Sequence, residues 1–132
     1  MTKNNKTMKD ILTQSDLYFL VDAFYEKLLN DHLISYIFTD VVKIKIEEHL
    51  PILVTFWSQA ILGTGGYTNN LTNIHLKVNE LESLTPELFD IWLVHFNNTV
   101  NENFMGNNAD EIKKQAQNLS IILQIKIKQK NI

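Results

Sequence analysis

The sequence contains no cysteine. Disulfides, thiolate metal sites and cysteine nucleophiles are therefore excluded, and a reducing cytoplasm is the expected setting. Proline and glycine are scarce, two and four in 132 residues, so few positions break a helix and long helical segments are expected. No apolar run approaches the ~18 residues that a membrane helix needs, and no membrane partner is expected. The first residues, Met1-Thr2-Lys3-Asn4-Asn5-Lys6, are polar with no apolar stretch behind them, which argues against a secretion signal. Basic charge is thin as well. The formal net charge is −3, and the lysines near the C-terminus read as a solvated helix end, so nucleic acid is not an expected partner. Neither His-Glu-x-x-His nor Glu-x-x-His occurs, which removes the usual signatures of helical zinc and di-iron sites. Gly63-Thr64-Gly65-Gly66 has no Lys-Ser/Thr behind it and reads as a helix stop, not a phosphate loop.

Apolar side chains are plentiful, at 45% of the chain with seven Phe, four Tyr and two Trp. That is enough for one packed domain. Residues 1–14 are expected to form a flexible N-terminal segment and residues 15–132 the domain. The spacing of Leu17, Leu20, Val21, Phe24 and Leu28 predicts a first helix, with Ser15 as its cap. Ile46, His49-Leu50, Leu53, Phe56-Trp57 and Ala60-Ile61 predict a second, from Lys43 to Leu62. Pro51 inside it should bend the helix or mark a start close by. A short helix over residues 71–81 carries His75. Thr85-Pro86-Glu87 opens another helix, whose stripe is Phe89, Trp92-Leu93, Phe96 and Val100. A last helix from Asn108 turns Ile112, Ala116, Leu119, Leu123 and Ile127 inward. The class is all-α, with no convincing strand.

The histidines are His32, His49, His75 and His95. His32, at a helix end, suits the helix dipole, and His95 is assigned no role. His49 and His75 lie on consecutive helical segments reversed by the glycine turn, among aromatic residues. Two imidazoles on opposite sides of a flat, apolar-walled cavity suit a haem. One binds iron, and the other is a polar group near the open position.

Phe24-Tyr25, Ile37-Phe38, His49-Leu50-Pro51 with Phe56-Trp57, Leu62-Gly63-Thr64-Gly65, Tyr67, His75-Leu76 and Phe89-Asp90-Ile91-Trp92-Leu93, in that order, resemble a group III truncated haemoglobin. The likeness spans about residues 15 to 120. It implies a truncated globin, a two-over-two helical sandwich around haem b, with His75 as the iron ligand. It further implies Tyr25, His49 and Trp92 on the ligand side, Phe38 on the haem face and Tyr67 near the propionate edge. Leu53, Phe56, Trp57 and Phe96 are read as cavity walls. Thr68 to Ile74 depart from the family's usual Gly, Pro and Met in the loop before the proximal histidine. The implied function is binding of dioxygen and other diatomic ligands (nitric oxide, carbon monoxide). Oxygen or nitric oxide chemistry is expected rather than bulk transport. Nitric oxide dioxygenation or a peroxidase-like reaction, served by an external reductase, is compatible. A haem-based sensor or redox module that signals through another protein is the alternative.

Overall fold

The computed structural model describes residues 8–64, apart from 42 and 44, and residues 84–130. Helix α1 spans Gln14–Leu29, and its stripe of Leu17, Leu20, Val21, Phe24 and Leu28 is buried, with Tyr25 beside it. The cap differs from the expectation of Ser15. Thr13 is the N-cap; its hydroxyl accepts from the Asp16 N–H at 3.1 Å, while the Asp16 carboxylate accepts from the Thr13 N–H at 3.1 Å. This reciprocal box satisfies two backbone donors that the first turn leaves open. Asn30 closes the helix, its side-chain amide donating to the Glu26 carbonyl at 2.8 Å. A turn from Asp31 then leads into one π-helical turn, Ile37–Val41.

Helix α2 spans Ile46–Leu62 and so begins later than Lys43. Lys43 has φ 51, the left-handed region, and Lys45 is extended, so helical geometry cannot start before Ile46. Pro51 lies in the second turn, where its missing N–H removes one helical rung near a start close by, as expected. Gly63 stops the helix at φ 73, with its N–H on the Gln59 carbonyl at 3.2 Å.

Helix α3 spans Pro86–Asn103, with Thr85 as its cap and proline in the first turn. Helix α4 spans Asn107–Lys130 and absorbs the alternating Ile125 to Lys128 stretch. Its inward residues Ile112, Ala116, Leu123 and Ile127 are buried, and Leu119 is half-buried. The expected helix over 71–81 lies outside the described residues.

Helix α1 packs on α2 and α3 on α4; the two pairs stack through α1 on α3 and α2 on α4. This is the all-α two-over-two arrangement. Among the described residues there is no strand, and no helix is long and apolar enough to cross a membrane. Leu17, Leu20, Leu28, Phe96 and Ile112 close the centre. The packed body also takes in residues ahead of 15. Ile11 is 0% exposed, and the Asp10 carboxylate accepts from the Asn108 and Ala109 N–H groups at 2.9 and 2.8 Å. Gly106, ahead of α4, has no side chain to cap with, so Asp10 supplies the cap from far away in sequence.

Candidate functional site

Helix α2 carries two parallel stripes. Leu50, Val54, Trp57 and Ser58 are buried in the core. His49, Leu53, Phe56 and Ala60 lie beside them and are half-buried. The sequence reading merged these into one face and did not single out Val54 or Ser58. Ser58 is polar, and its burial is satisfied by Gln14 Nε2 at 3.2 Å and by the Thr64 hydroxyl at 2.7 Å.

The half-buried stripe meets Tyr25 at His49. The Tyr25 hydroxyl lies 3.1 Å from His49 Nε2, and their rings meet edge-on with centroids 5.4 Å apart. Phe38, from the π-helical turn, packs on the other side of Tyr25 at 5.5 Å, again edge-on. Phe24 bridges to α3, meeting Tyr25 at 5.4 Å, Trp92 at 5.6 Å and Phe96 at 5.1 Å. Trp92 is half-buried and stacks on Phe96 at 5.6 Å, which stacks in turn on Trp57 at 5.3 Å. The structure therefore brings Tyr25, His49, Phe38, Phe24 and Trp92 into one aromatic network. Trp57 and Phe96, 4% and 0% exposed, sit behind it in the core and act on the site through the residues they support. His75 and Tyr67 lie outside the described residues. Among the described residues, no cluster of three or more His, Asp or Glu side chains is gathered for a metal ion.

Burial drives the Tyr25 phenol far above its ordinary pKa. The hydroxyl is therefore neutral across the working pH range and keeps a proton to donate. Two arrangements of the pair are possible. If His49 Nε2 is bare, the phenol donates to it. If Nε2 carries the proton, it donates to the phenol oxygen and the phenol O–H is released toward the pocket.

A second polar contact was not legible in the sequence. His95 Nε2 lies 2.7 Å from Asp31 Oδ2, each side chain about a quarter exposed. The His95 hydrogen bond, followed by that of the Leu33 N–H, holds the Asp31 carboxyl below its ordinary pKa. The partners are too far apart in sequence for any local pattern to pair them. His32 is exposed just beyond the end of α1, and its charge favours the Asp31 carboxylate.

The fold and the arrangement of this site can be set beside known proteins. A group 3 truncated hemoglobin of Campylobacter jejuni is 28% identical over 111 residues, covering 82% of this chain and 85% of the relative. The crystal structure of the group III truncated hemoglobin from Campylobacter jejuni superposes with a TM-score of 0.81 at 26% identity, covering 92% of this chain and 95% of that one. The fold is that of a truncated haemoglobin, and the likeness is to the third group. No family model matches the chain. The resemblance first drawn from short motifs thus holds over most of the chain, in sequence and in backbone. In a truncated haemoglobin fold of this kind, the Tyr25–His49 pair sits between the first two long helices, and α3 brings Trp92 toward the same region.

Proposed function

We propose that the chain binds haem b, with His75 as the iron ligand, and holds dioxygen or another diatomic ligand beside Tyr25 and His49. The observation that carries this reading is the 3.1 Å Tyr25–His49 contact, a pair of polar groups set into an otherwise apolar, aromatic surround. Two features fit a flat apolar group. His49, Leu53 and Phe56 present a half-buried stripe on α2, and Phe38 and Trp92, half-buried on the π-helical turn and α3, connect with its His49 through Tyr25 and Phe24. The similarity to truncated haemoglobins supports the same assignment.

When bound, the haem supplies an iron that takes the ligand and exchanges electrons. The protein's part is to shape what surrounds that ligand. The neutral Tyr25 phenol donates to it when His49 Nε2 holds the phenol oxygen from behind. The Trp92 indole N–H, which can only donate, is the second polar hydrogen on α3. Phe38, Leu53 and Phe56 keep the surroundings dry, which strengthens each hydrogen bond made there. A hydrogen bond to a partly charged ligand is worth about 1.5–3 kcal/mol. Each well-made bond therefore slows ligand release by roughly ten- to hundredfold. Slow release favours oxygen or nitric oxide chemistry, with electrons from an external reductase, over bulk transport.

The test is the visible spectrum of the reduced protein before and after carbon monoxide. A Soret band that shifts sharply supports the reading, and a featureless spectrum from folded protein overturns it. His75→Ala should lose haem or hold it loosely. An unaltered five-coordinate spectrum in that variant removes His75 as the ligand.

A further inference from the structure

We propose that the Asp31–His95 pair is a positioning device for the ligand side of the site, fixing Trp92 relative to Phe38. The inference rests on the haem reading above, but its geometry stands on described residues. Asp31 begins the turn that leads from α1 to Phe38. Its backbone carbonyl accepts from the Ile34 and Ser35 N–H groups at 3.1 and 2.8 Å, and Oδ1 accepts from the Leu33 N–H at 2.9 Å. The carboxylate is thereby held by its own turn, leaving Oδ2 aimed outward. The group it meets is His95 Nε2 at 2.7 Å. His95 stands three residues after Trp92 on α3, so the two side chains are neighbours on one helix surface. The histidine's backbone is fixed within α3, where its carbonyl also accepts from the Thr99 hydroxyl at 2.7 Å.

One bond therefore joins the turn that leads to Phe38 to the helix carrying Trp92. Phe38 touches Tyr25, and Trp92 touches Phe24, the ring next to Tyr25. Aromatic edge contacts alone fix such a spacing poorly, since rings slide across one another at little cost. A short bond from an oriented carboxylate defines the rotation of α3 about its axis, and with it where the Trp92 indole N–H points. The Lys27–Glu102 ion pair, 2.7 Å long, ties α1 itself to α3, but Glu102 is largely exposed and lies more than two turns beyond Trp92. It serves as the control, a tie to the same helix without the link to Phe38 or Trp92.

The experiment follows the two tryptophan indole N–H signals of the full-length chain by nitrogen–proton NMR, assigned with Trp57→Phe, and the carbon–oxygen stretch of its carbon monoxide complex. His95→Leu should move the Trp92 signal and redistribute the stretching bands. His95→Gln, which restores a donor to Asp31, should return both toward the parent positions. Lys27→Ala should change neither. Oxygen dissociation should quicken about threefold to tenfold in His95→Leu, the size of effect carried through indirect contacts. A Trp92 signal at the parent position in His95→Leu overturns the proposal, as does an equal displacement in Lys27→Ala. If His95→Leu does not fold, Asp31→Asn takes its place under the same criteria. Failure of the haem reading shows separately, as the lack of a Soret band in the parent protein, and leaves the indole measurement to decide the pair.

Discussion

The central residue is Tyr25, and what matters is which way its one proton points. Burial keeps the phenol neutral, and His49 Nε2 at 3.1 Å decides whether the oxygen accepts or donates. Tyr25→Phe removes the proton and also deprives His49 of its contact. It should raise the oxygen dissociation rate by roughly tenfold or more, the loss of one bond to a partly charged ligand. Stopped-flow release of oxygen checks this, and an unchanged rate means that the phenol serves His49 alone. His49→Leu should do less. The phenol then keeps its proton and loses only the group that steers it. The identities of Tyr25 and His49 could be read from the sequence only through the family resemblance, since nothing in their separate helical patterns says that they touch. Asp31 and His95 gave no such hint, because no motif spans them.

At the scale of elements, the buried faces of α1 and α4 followed directly from their spacing. Leu17 to Leu28 and Ile112 to Ile127 each present one stripe inward, which is the case periodicity describes, although Leu123 and Ile127 pack with Phe89 in a second, smaller cluster. Helix α2 was less legible. It faces the core with Leu50, Val54 and Trp57 and the candidate site with His49, Leu53 and Phe56. A helix with two covered sides gives a broad apolar band in which the stripes merge. Starts depended on local backbone geometry. Thr13 and Ser15 are both competent caps, and the choice between them rests on Asp16 closing the box with Thr13. The start of α4 is the least conventional. Gly106 has φ +143, and a Cβ placed there would lie 2.5 Å from Asp10 Cγ and 2.7 Å from Asp10 Cβ. The Asp10 carboxylate cannot step aside without releasing Asn108 and Ala109. Gly106→Ala should therefore combine backbone strain with loss of the cap, about 2–4 kcal/mol in all. That is a fall on the order of 10 °C in melting temperature for a domain of this size, measured by circular dichroism.

At the scale of the molecule, Asp10 and Asp31 tie distant parts together and Asp16 closes a local box, and each of the three is held below its ordinary pKa. Asp31 is lowered chiefly by the His95 bond. For Asp10 and Asp16 burial acts in the opposite direction but is outweighed. The N–H groups of Asn108, Ala109, Ile11 and Asn107 lower Asp10, and Lys9 with the Leu12 and Thr13 backbone lowers Asp16. A depressed carboxyl binds its proton more weakly in the folded chain than in the unfolded one. Its stabilising contribution is full above the unfolded value near 3.8 and is lost as pH falls through the folded value. Asp10→Asn should thus be less stable than the parent at pH 7, by about 1–2 kcal/mol. The gap in melting temperature should hold down to about pH 5 and close as the pH falls below about 4. A gap that stays constant would mean that the carboxylate charge contributes nothing to the cap.

The same aspartate has a kinetic consequence. Asp10 and Asn108 stand 98 positions apart, so their bond closes a loop that contains α1, α2 and α3. Loops of that length close only after the intervening helices have been gathered, because the entropy of closure precedes any gain from the contact. A contact made that late is largely missing from the folding transition state, and its strength is felt in how slowly the folded chain opens, not in how quickly it forms. The lifetime of the packed state should therefore depend in part on this one carboxylate clasp at the first turn of α4.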